Sequence, residues 1–343
     1  MAEVASAPAA RTRAGAAVDG LLVTIDDIRR AAAILDGVTI RTPLVPFGDR
    51  RHLVKAESLQ PIGAFKLRGA YVAIASLAPE VRGRGVITYS SGNHAQGVAR
   101  AARLLAAPAV VVMPDDAPPL KSRRVAADGA EIVTVGPASD ERREVAERIA
   151  AERGLAIIPP FDDDRIIAGQ GTCGLEIAED VEELAAVLVP VGGGGLVSGI
   201  AVAVKALRPT AMVIGVESEL AADAQESLGT GRIVTWPAER VSRTIADGTR
   251  TQAIGRRTFA HMVALVDGIV TVSEAEIAAA VRLAAEESRL VVEPSGALSI
   301  AAMRFRAQEA GIAGISGTVV AVASGGNVDP DRYRAFLVSP IPG

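Results

Sequence analysis

Lys66 stands in a run of apolar and small residues, Gly63-Ala64-Phe65-Lys66-Leu67-Arg68-Gly69-Ala70. Burial penalises the ammonium form of a lysine and lowers its pKa. The free amine is then a nucleophile towards a carbonyl, the chemistry of Schiff-base lysines. Three other stretches could serve such a site. Gly192-Gly193-Gly194-Gly195 lies between an apolar run and a helical one, so its backbone N–H groups and the helix N-terminus behind it can surround an anion. Ser90-Ser91-Gly92-Asn93-His94 falls at a strand end and a helix start, where ligands bind in open α/β folds. A cap accounts for one polar residue there, not for a run of them. Ser324-Gly325-Gly326-Asn327 follows the last apolar strand. Apart from these, Glu217, the carbonyl of Ala221 and Asp223 offer hard oxygen donors of the kind that suit Mg²⁺, Ca²⁺ or Mn²⁺. His52 and His261 have no partner spacing for metal or triad chemistry.

These residues must be positioned by the elements around them. Thr24 and Asp27 form a capping box for a first helix that Gly37 closes, and 52–56 reads as a strand leading to Lys66. Short apolar strands then alternate with helices: strands at 85–89, 109–113 and 131–135, helices at 94–105, 121–128 and 140–153. A second series has strands at 186–191, 212–217 and 318–323, a helix at 196–207, and a capped helix from Ser273 to about Arg289. Residues 224–250 lack periodicity and read as a surface excursion. The alternation predicts an α/β protein of two domains, each an open, mostly parallel twisted sheet covered by helices. The expected division is a disordered tail over 1–20, a larger domain from 21–84 and 162–338, and a smaller mobile one from 85–161. With 13 residues after Pro330, no appended regulatory domain is expected.

Composition narrows the partners. The 343 residues carry a net charge of −4, which gives no reason to expect nucleic acid or an anionic membrane. The single cysteine, Cys173, excludes an internal disulfide and suits a cytoplasmic location. No apolar run is long enough to span a bilayer, and Arg11 and Arg13 are not followed by a signal-like apolar stretch. Strand, glycine turn, helix and a strand ending at Glu217 also evoke a dinucleotide-binding unit, but Val197 or Ser198 falls where its third glycine belongs.

The pattern Glu57-x-Leu59-Gln60-x-x-Gly63-x-Phe65-Lys66-x-Arg68-Gly69-Ala70, with the three later stretches in the same order, resembles the fold-type II pyridoxal-phosphate enzymes. Among these it is most similar to the serine/threonine dehydratases and serine racemases, over about residues 22–330. The resemblance implies pyridoxal 5′-phosphate held by Lys66 beside Phe65, its phosphate in the loop of Gly192, Gly193, Gly194 and Gly195, its ring oxygen on Asn93 and its ring nitrogen on Ser324. It implies a substrate carboxylate held by Ser90, Ser91, Gly92, Asn93 and His94, with Ser91 as an acid/base opposite Lys66. It implies Arg143, in Ser139-Asp140-Glu141-Arg142-Arg143, as a residue that approaches the substrate, and Glu217, Ala221 and Asp223 as a cation site. The expected reaction is dehydration and deamination of a β-hydroxy amino acid such as serine, threonine or 3-hydroxyaspartate, with racemisation as the alternative. A homodimer or homotetramer is expected. Ala64 and Ile62 depart from the family, which has Ser and Thr near those places, and this leaves the substrate open.

Overall fold

The computed structural model describes residues 22–342 except 91, 116, 118, 137 and 138. The expectation for 1–20 lies outside them. The chain enters through α1 (Ile25–Ile34), β1 (Leu44–Phe47), β2 (Asp49–Lys55), α2 (Lys66–Ala75) and α3 (Pro79–Arg84). It continues as β3 (Val86–Tyr89), α4 (Asn93–Leu104), β4 (Ala109–Pro114), α5 (Pro119–Ala127), β5 (Glu131–Val135), α6 (Ser139–Arg153) and β6 (Ala156–Ile157). These four strands form a parallel sheet in the order β5-β4-β3-β6.

The second half holds α7 (Asp164–Asp180), β7 (Leu184–Pro190), α8 (Gly195–Leu207), β8 (Met212–Ser218), α9 (Asp223–Thr230), α10 (Ala238–Val241) and α11 (Arg256–Leu265). It ends with β9 (Gly268–Val272), α12 (Glu274–Ser288), α13 (Pro294–Phe305), β10 (Thr318–Val322) and α14 (Pro330–Phe336). Its strands join the first two in a six-stranded sheet, β1-β2-β10-β7-β8-β9, parallel except for the β1–β2 pair. Both faces are covered, so Val187, Leu188, Val189, Val320, Ala321 and Val322 are all buried, the continuous apolar text of a doubly covered strand. Among the described residues no helix is long and apolar enough to cross a membrane.

Both capping boxes form as read. Thr24 and Asp27 bond each other's backbone N–H at α1, and Ser273 and Glu276 do so at α12. The 224–250 stretch is a correction. It carries α10 and part of α9, and its Trp236 is 6% exposed, packed with Ala221, Ala222 and Val241 in a small core of its own. The Trp236 indole N–H donates to Glu226 at 2.7 Å, and the Arg240 guanidinium lies 3.2 Å from its ring centroid. A segment without periodicity can still bury an aromatic residue when loop and short helix fold over each other.

α7 is one of the elements that the pattern missed, with β1, α11, β9 and α13. Its residues from Ile166 to Leu175 are buried without interruption, so no amphipathic stripe marks it. Its glycines let neighbours approach closely: a Cβ on Gly169 would lie 2.6 Å from the Cα of Gly69 in α2, and one on Gly174 2.7 Å from the Cα of Ile200 in α8. α7 thereby fixes α2, and with it Lys66, against the large sheet's helices.

Candidate active site

The segment that precedes Lys66 is locked from below by charge. Arg68 and Glu57 are 1% and 0% exposed and pair through two hydrogen bonds of 2.8 Å. Arg68 also donates to Glu176 at 2.6 Å and to the Thr172 hydroxyl at 3.0 Å. Lys55 donates to Glu176 at 2.6 Å and to the Thr42 carbonyl at 2.7 Å. Two cations thus face two carboxylates, the balance that buried charges require. Burial would raise the Glu57 carboxyl, but the Arg68 guanidinium overrides it and holds the group below its usual value. Glu57, Gln60 and Arg68 of the lysine motif therefore belong to the support of the site. Cys173 is buried beside them, and burial pushes its thiol well above the ordinary range.

From above, the Ser324 loop holds the same segment. The Phe65 N–H donates to the Ser324 carbonyl at 3.1 Å, and the Gly326 N–H to the Gly63 carbonyl at 2.9 Å. Gly63 has φ +73°, and a Cβ on it would lie 2.5 Å from Asn327 Oδ1, so only glycine fits this turn. Asn327 donates to the Ile62 carbonyl at 2.9 Å and to Asn93 Oδ1 at 2.8 Å. Lys66, Ser324 and Asn93 are therefore brought together by short links although they come from three distant parts of the chain.

Lys66 opens α2. Its Nζ donates to the Pro160 carbonyl at 2.8 Å and sits 5.1 Å from the centroid of the Phe65 ring. Burial lowers its pKa to about 8. Phe161, the next residue after Pro160, packs against the four-glycine loop: a Cβ on Gly193 would lie 2.1 Å from its ring Cδ1, and one on Gly195 would lie 3.2 Å from its Cβ. Gly194 has φ +89° and is the N-cap of α8, and no side chain caps that helix. Its first N–H groups are thus left for an external acceptor, beside a loop that admits no side chains.

Ser90, Gly92 and Asn93 lie at the end of β3 and the start of α4, which also has no side-chain cap, and the Ser90 hydroxyl accepts from the Gly92 N–H at 3.2 Å. Ser91 lies outside the described residues. His94 is buried, with Nε2 at 3.0 Å from the Ile158 carbonyl. Burial, with the Lys66 charge nearby, lowers its pKa to about 3, so it is a neutral imidazole. Arg143 lies on α6 with its side chain 52% exposed and 3.9 Å from Glu147.

The Glu293 carboxylate accepts from the Asn93 amide, is pushed up to about 7 by burial, and keeps Oε2 without a partner among the described residues. From sequence, Glu293-Pro294-Ser295-Gly296-Ala297 resembles a family segment near the cofactor but has no firm role, because the residues that Glu293 meets are far away in the chain. Glu217 accepts from the N–H groups of Ala224 and Gln225 at 3.1 and 2.8 Å. Asp223 is 1% exposed, yet neither carboxylate oxygen has a hydrogen bond among the described residues. Burial raises both carboxyls, and for Glu217 the charge of Asp223 adds to it. Among the described residues no group of three or more His, Cys, Asp or Glu side chains could hold a metal, so this site would rest on two carboxylates and a carbonyl.

The model of the pyridoxal-phosphate-dependent enzymes matches residues 36–325. The chain belongs to this family. It is 43% identical over 283 residues, 82% of this chain and 85% of the relative, to the L-threo-3-hydroxyaspartate ammonia-lyase of Saccharomyces cerevisiae. Among solved structures it is similar to maize serine racemase (TM-score 0.86, 36% identity, 91% of this chain and 96% of that one). The processed form of threonine deaminase isoform 2 from Solanum lycopersicum is likewise similar (TM-score 0.83, 36% identity, 94% and 88%). Family members of this fold thus include both ammonia-lyases and a racemase. The residues of this chain suit the family's cofactor: a buried amine of lowered pKa, an uncapped helix start behind four glycines for a phosphate, and polar groups at Asn93 and Ser324 for a ring.

Proposed function

We propose that the protein removes the β-hydroxyl of a β-hydroxy amino acid and releases its nitrogen as ammonia, leaving a 2-keto acid. Water leaves in the elimination and is taken up again when the nitrogen departs, so the net change is amino acid to keto acid and ammonia. The observation that carries the reading is the buried Lys66 amine, joined through Pro160 and Phe161 to the glycine loop. Similarity to a hydroxyaspartate ammonia-lyase and a threonine deaminase supports it.

In this reading Lys66 holds pyridoxal phosphate through Nζ, with Phe65 beside it. Gly192, Gly193, Gly194 and Gly195 take its phosphate, Asn93 its ring oxygen and Ser324 its ring nitrogen. When bound, the cofactor supplies an electron sink for charge developing at the substrate Cα. Ser90, Gly92 and Asn93, with Ser91, take the substrate carboxylate at the start of α4, and His94 supports that loop through Ile158. The Lys66 amine, neutral more readily because of burial, takes the Cα proton. A racemase would need Ser91 as the acid/base opposite Lys66. We place the domain boundaries at 84/85 and 161/162, with the smaller domain moving over the site. Exposed Ile40, Leu59 and Val291 suit burial against further copies in a dimer or tetramer, which light scattering tests.

Incubation with L-serine, D-serine, L-threonine and the 3-hydroxyaspartates, with keto acid, ammonia and enantiomers measured, tests the assignment. Keto acid from none of them sinks it, and inversion faster than elimination moves the protein to the racemases. Ser324 bears on that balance. A serine hydroxyl donates a hydrogen bond to a ring nitrogen but brings no counter-charge, which favours rapid loss of the β-hydroxyl over reprotonation. Ser324→Asp is expected to raise the ratio of racemisation to elimination, read by chiral chromatography of residual substrate against keto acid formed.

A divalent cation at Glu217, Asp223 and the Ala221 carbonyl is part of the proposal, supported by the two unpartnered Asp223 oxygens. Mg²⁺, Mn²⁺ or Ca²⁺ at a hundredfold excess over its dissociation constant should stabilise the native state by about 2.7 kcal/mol. Melting curves with and without chelator check this, and superimposable curves would reduce the site to a buried acidic turn.

A further inference from the structure

Lys121 is a second lysine that the reaction above does not use. It lies on α5 and is 6% exposed, with its Nζ donating to Asp247 Oδ2 at 2.6 Å. An ammonium has three donors, and Lys121 makes this single hydrogen bond among the described residues. A buried cation left with donors to spare marks a place for another acceptor. Its position indicates which one. A Cβ placed on Gly92 would lie 3.9 Å from Lys121 Nζ, so the ammonium lies beside Gly92. Asp247 opens the turn whose Thr249 Cα comes within 3.2 Å of a Cβ on Gly192 and whose Gly248 N–H donates to Ser295 Oγ at 2.8 Å. The pair therefore links Gly92, at the start of α4, to the turn that lies against Gly192 of the glycine loop.

We propose that Lys121 determines specificity by receiving the carboxylate on the β-carbon of a dicarboxylic β-hydroxy amino acid. The inference rests on the ammonia-lyase reading and names the substrate class of that same site. A substrate such as serine leaves Lys121 with its Asp247 hydrogen bond and the neighbouring Glu293 carboxylate. A 3-hydroxyaspartate gives it a second carboxylate oxygen without breaking the first hydrogen bond. Asp247 holds the ammonium in place but also repels the incoming charge, so the two residues act on a dicarboxylate in opposite senses. Arg143, largely exposed on α6, is less suited to this role because water screens its charge.

The test uses holoenzyme and two kinds of ligand. Removing one partner of a buried charge-assisted contact should lower kcat/KM for L-threo-3-hydroxyaspartate relative to L-serine by about thirtyfold or more in Lys121→Gln. Lys121→Arg should restore part of the ratio, and Asp247→Asn should raise it. Calorimetry with succinate and butyrate, which differ by one carboxylate, gives a readout without turnover: wild type should prefer succinate, and Lys121→Gln should lose that preference. If Lys121→Gln and Asp247→Asn shift the substrate ratio alike, or wild type binds succinate no better than butyrate, Lys121 is only an ion-pair partner and the proposal fails. If wild type turns over neither amino acid, the ammonia-lyase reading fails by itself, and the succinate preference still decides the role of Lys121.

Discussion

Replacing Lys66 by alanine is expected to lower turnover by about 10²–10⁴-fold, the usual contribution of a positioned acid/base, and to leave the protein without covalently held cofactor. Lys66 alone combines the buried amine, the Phe65 ring and the Pro160 carbonyl. The Ala64–Gly325 bridge and the Asn327 contacts to Ile62 and Asn93 do not involve its side chain, so the variant should fold. Borohydride reduction of wild type followed by peptide mapping checks the attachment. Label on a peptide without Lys66 would rule the assignment out, as would a yellow, active alanine variant.

The largest effect on stability is expected from Arg68→Met. The substitution keeps much of the volume and leaves Glu57 buried without its guanidinium, a loss of about 3–5 kcal/mol when one partner of a buried pair is removed. Denaturant unfolding of apo-protein measures it, and a change below about 1 kcal/mol would show that the network contributes little. The pH dependence follows from the same pair. The Glu57 carboxyl is held below its unfolded value of 4.5, so its contribution is present above that pH and disappears as pH falls through the lower folded-state value. Wild type should therefore lose stability in acid below about pH 4.5, and Arg68→Met should lose much of that acid sensitivity.

Much of this architecture is legible before any coordinates. The apolar runs read as strands at 85–89, 109–113 and 186–191 fall on the parallel strands β3, β4 and β7, and Thr24 and Ser273 mark helix starts through their own side chains. α7 is not legible, since burial on every side erases its stripe and its glycines argue against helix until neighbours pack on them. β9 is a five-residue edge strand that follows α11 after two residues, and neither element is marked in the sequence pattern. Within the site, Lys66, the glycine loop and the Ser90–Asn93 run announce themselves by local composition. Lys121 with Asp247, and Asn93 with Glu293, are separated by 126 and 200 residues, and no local pattern records such a pairing.

The order of strands in the larger sheet has a consequence for how the chain is made. β10, the last strand in chain order among the described residues, pairs with β2 on one side and β7 on the other, Val319 opposite His52 and Ala186. Until residues 318–322 emerge, the β1–β2 hairpin has no third strand and β7–β8–β9 has no inner neighbour. The four-stranded sheet, by contrast, is encoded in one uninterrupted stretch from Val86 to Ile157 and can close while the rest is still being translated. The nascent protein thus carries a finished polar loop at α4 and an unfinished partner for it, and Asn93 meets Asn327 only after the residues up to 327 have been made. A nonsense mutation anywhere before codon 318 removes the keystone of the larger sheet, so a shortened product should be cleared by proteolysis and not persist as a partly active fragment.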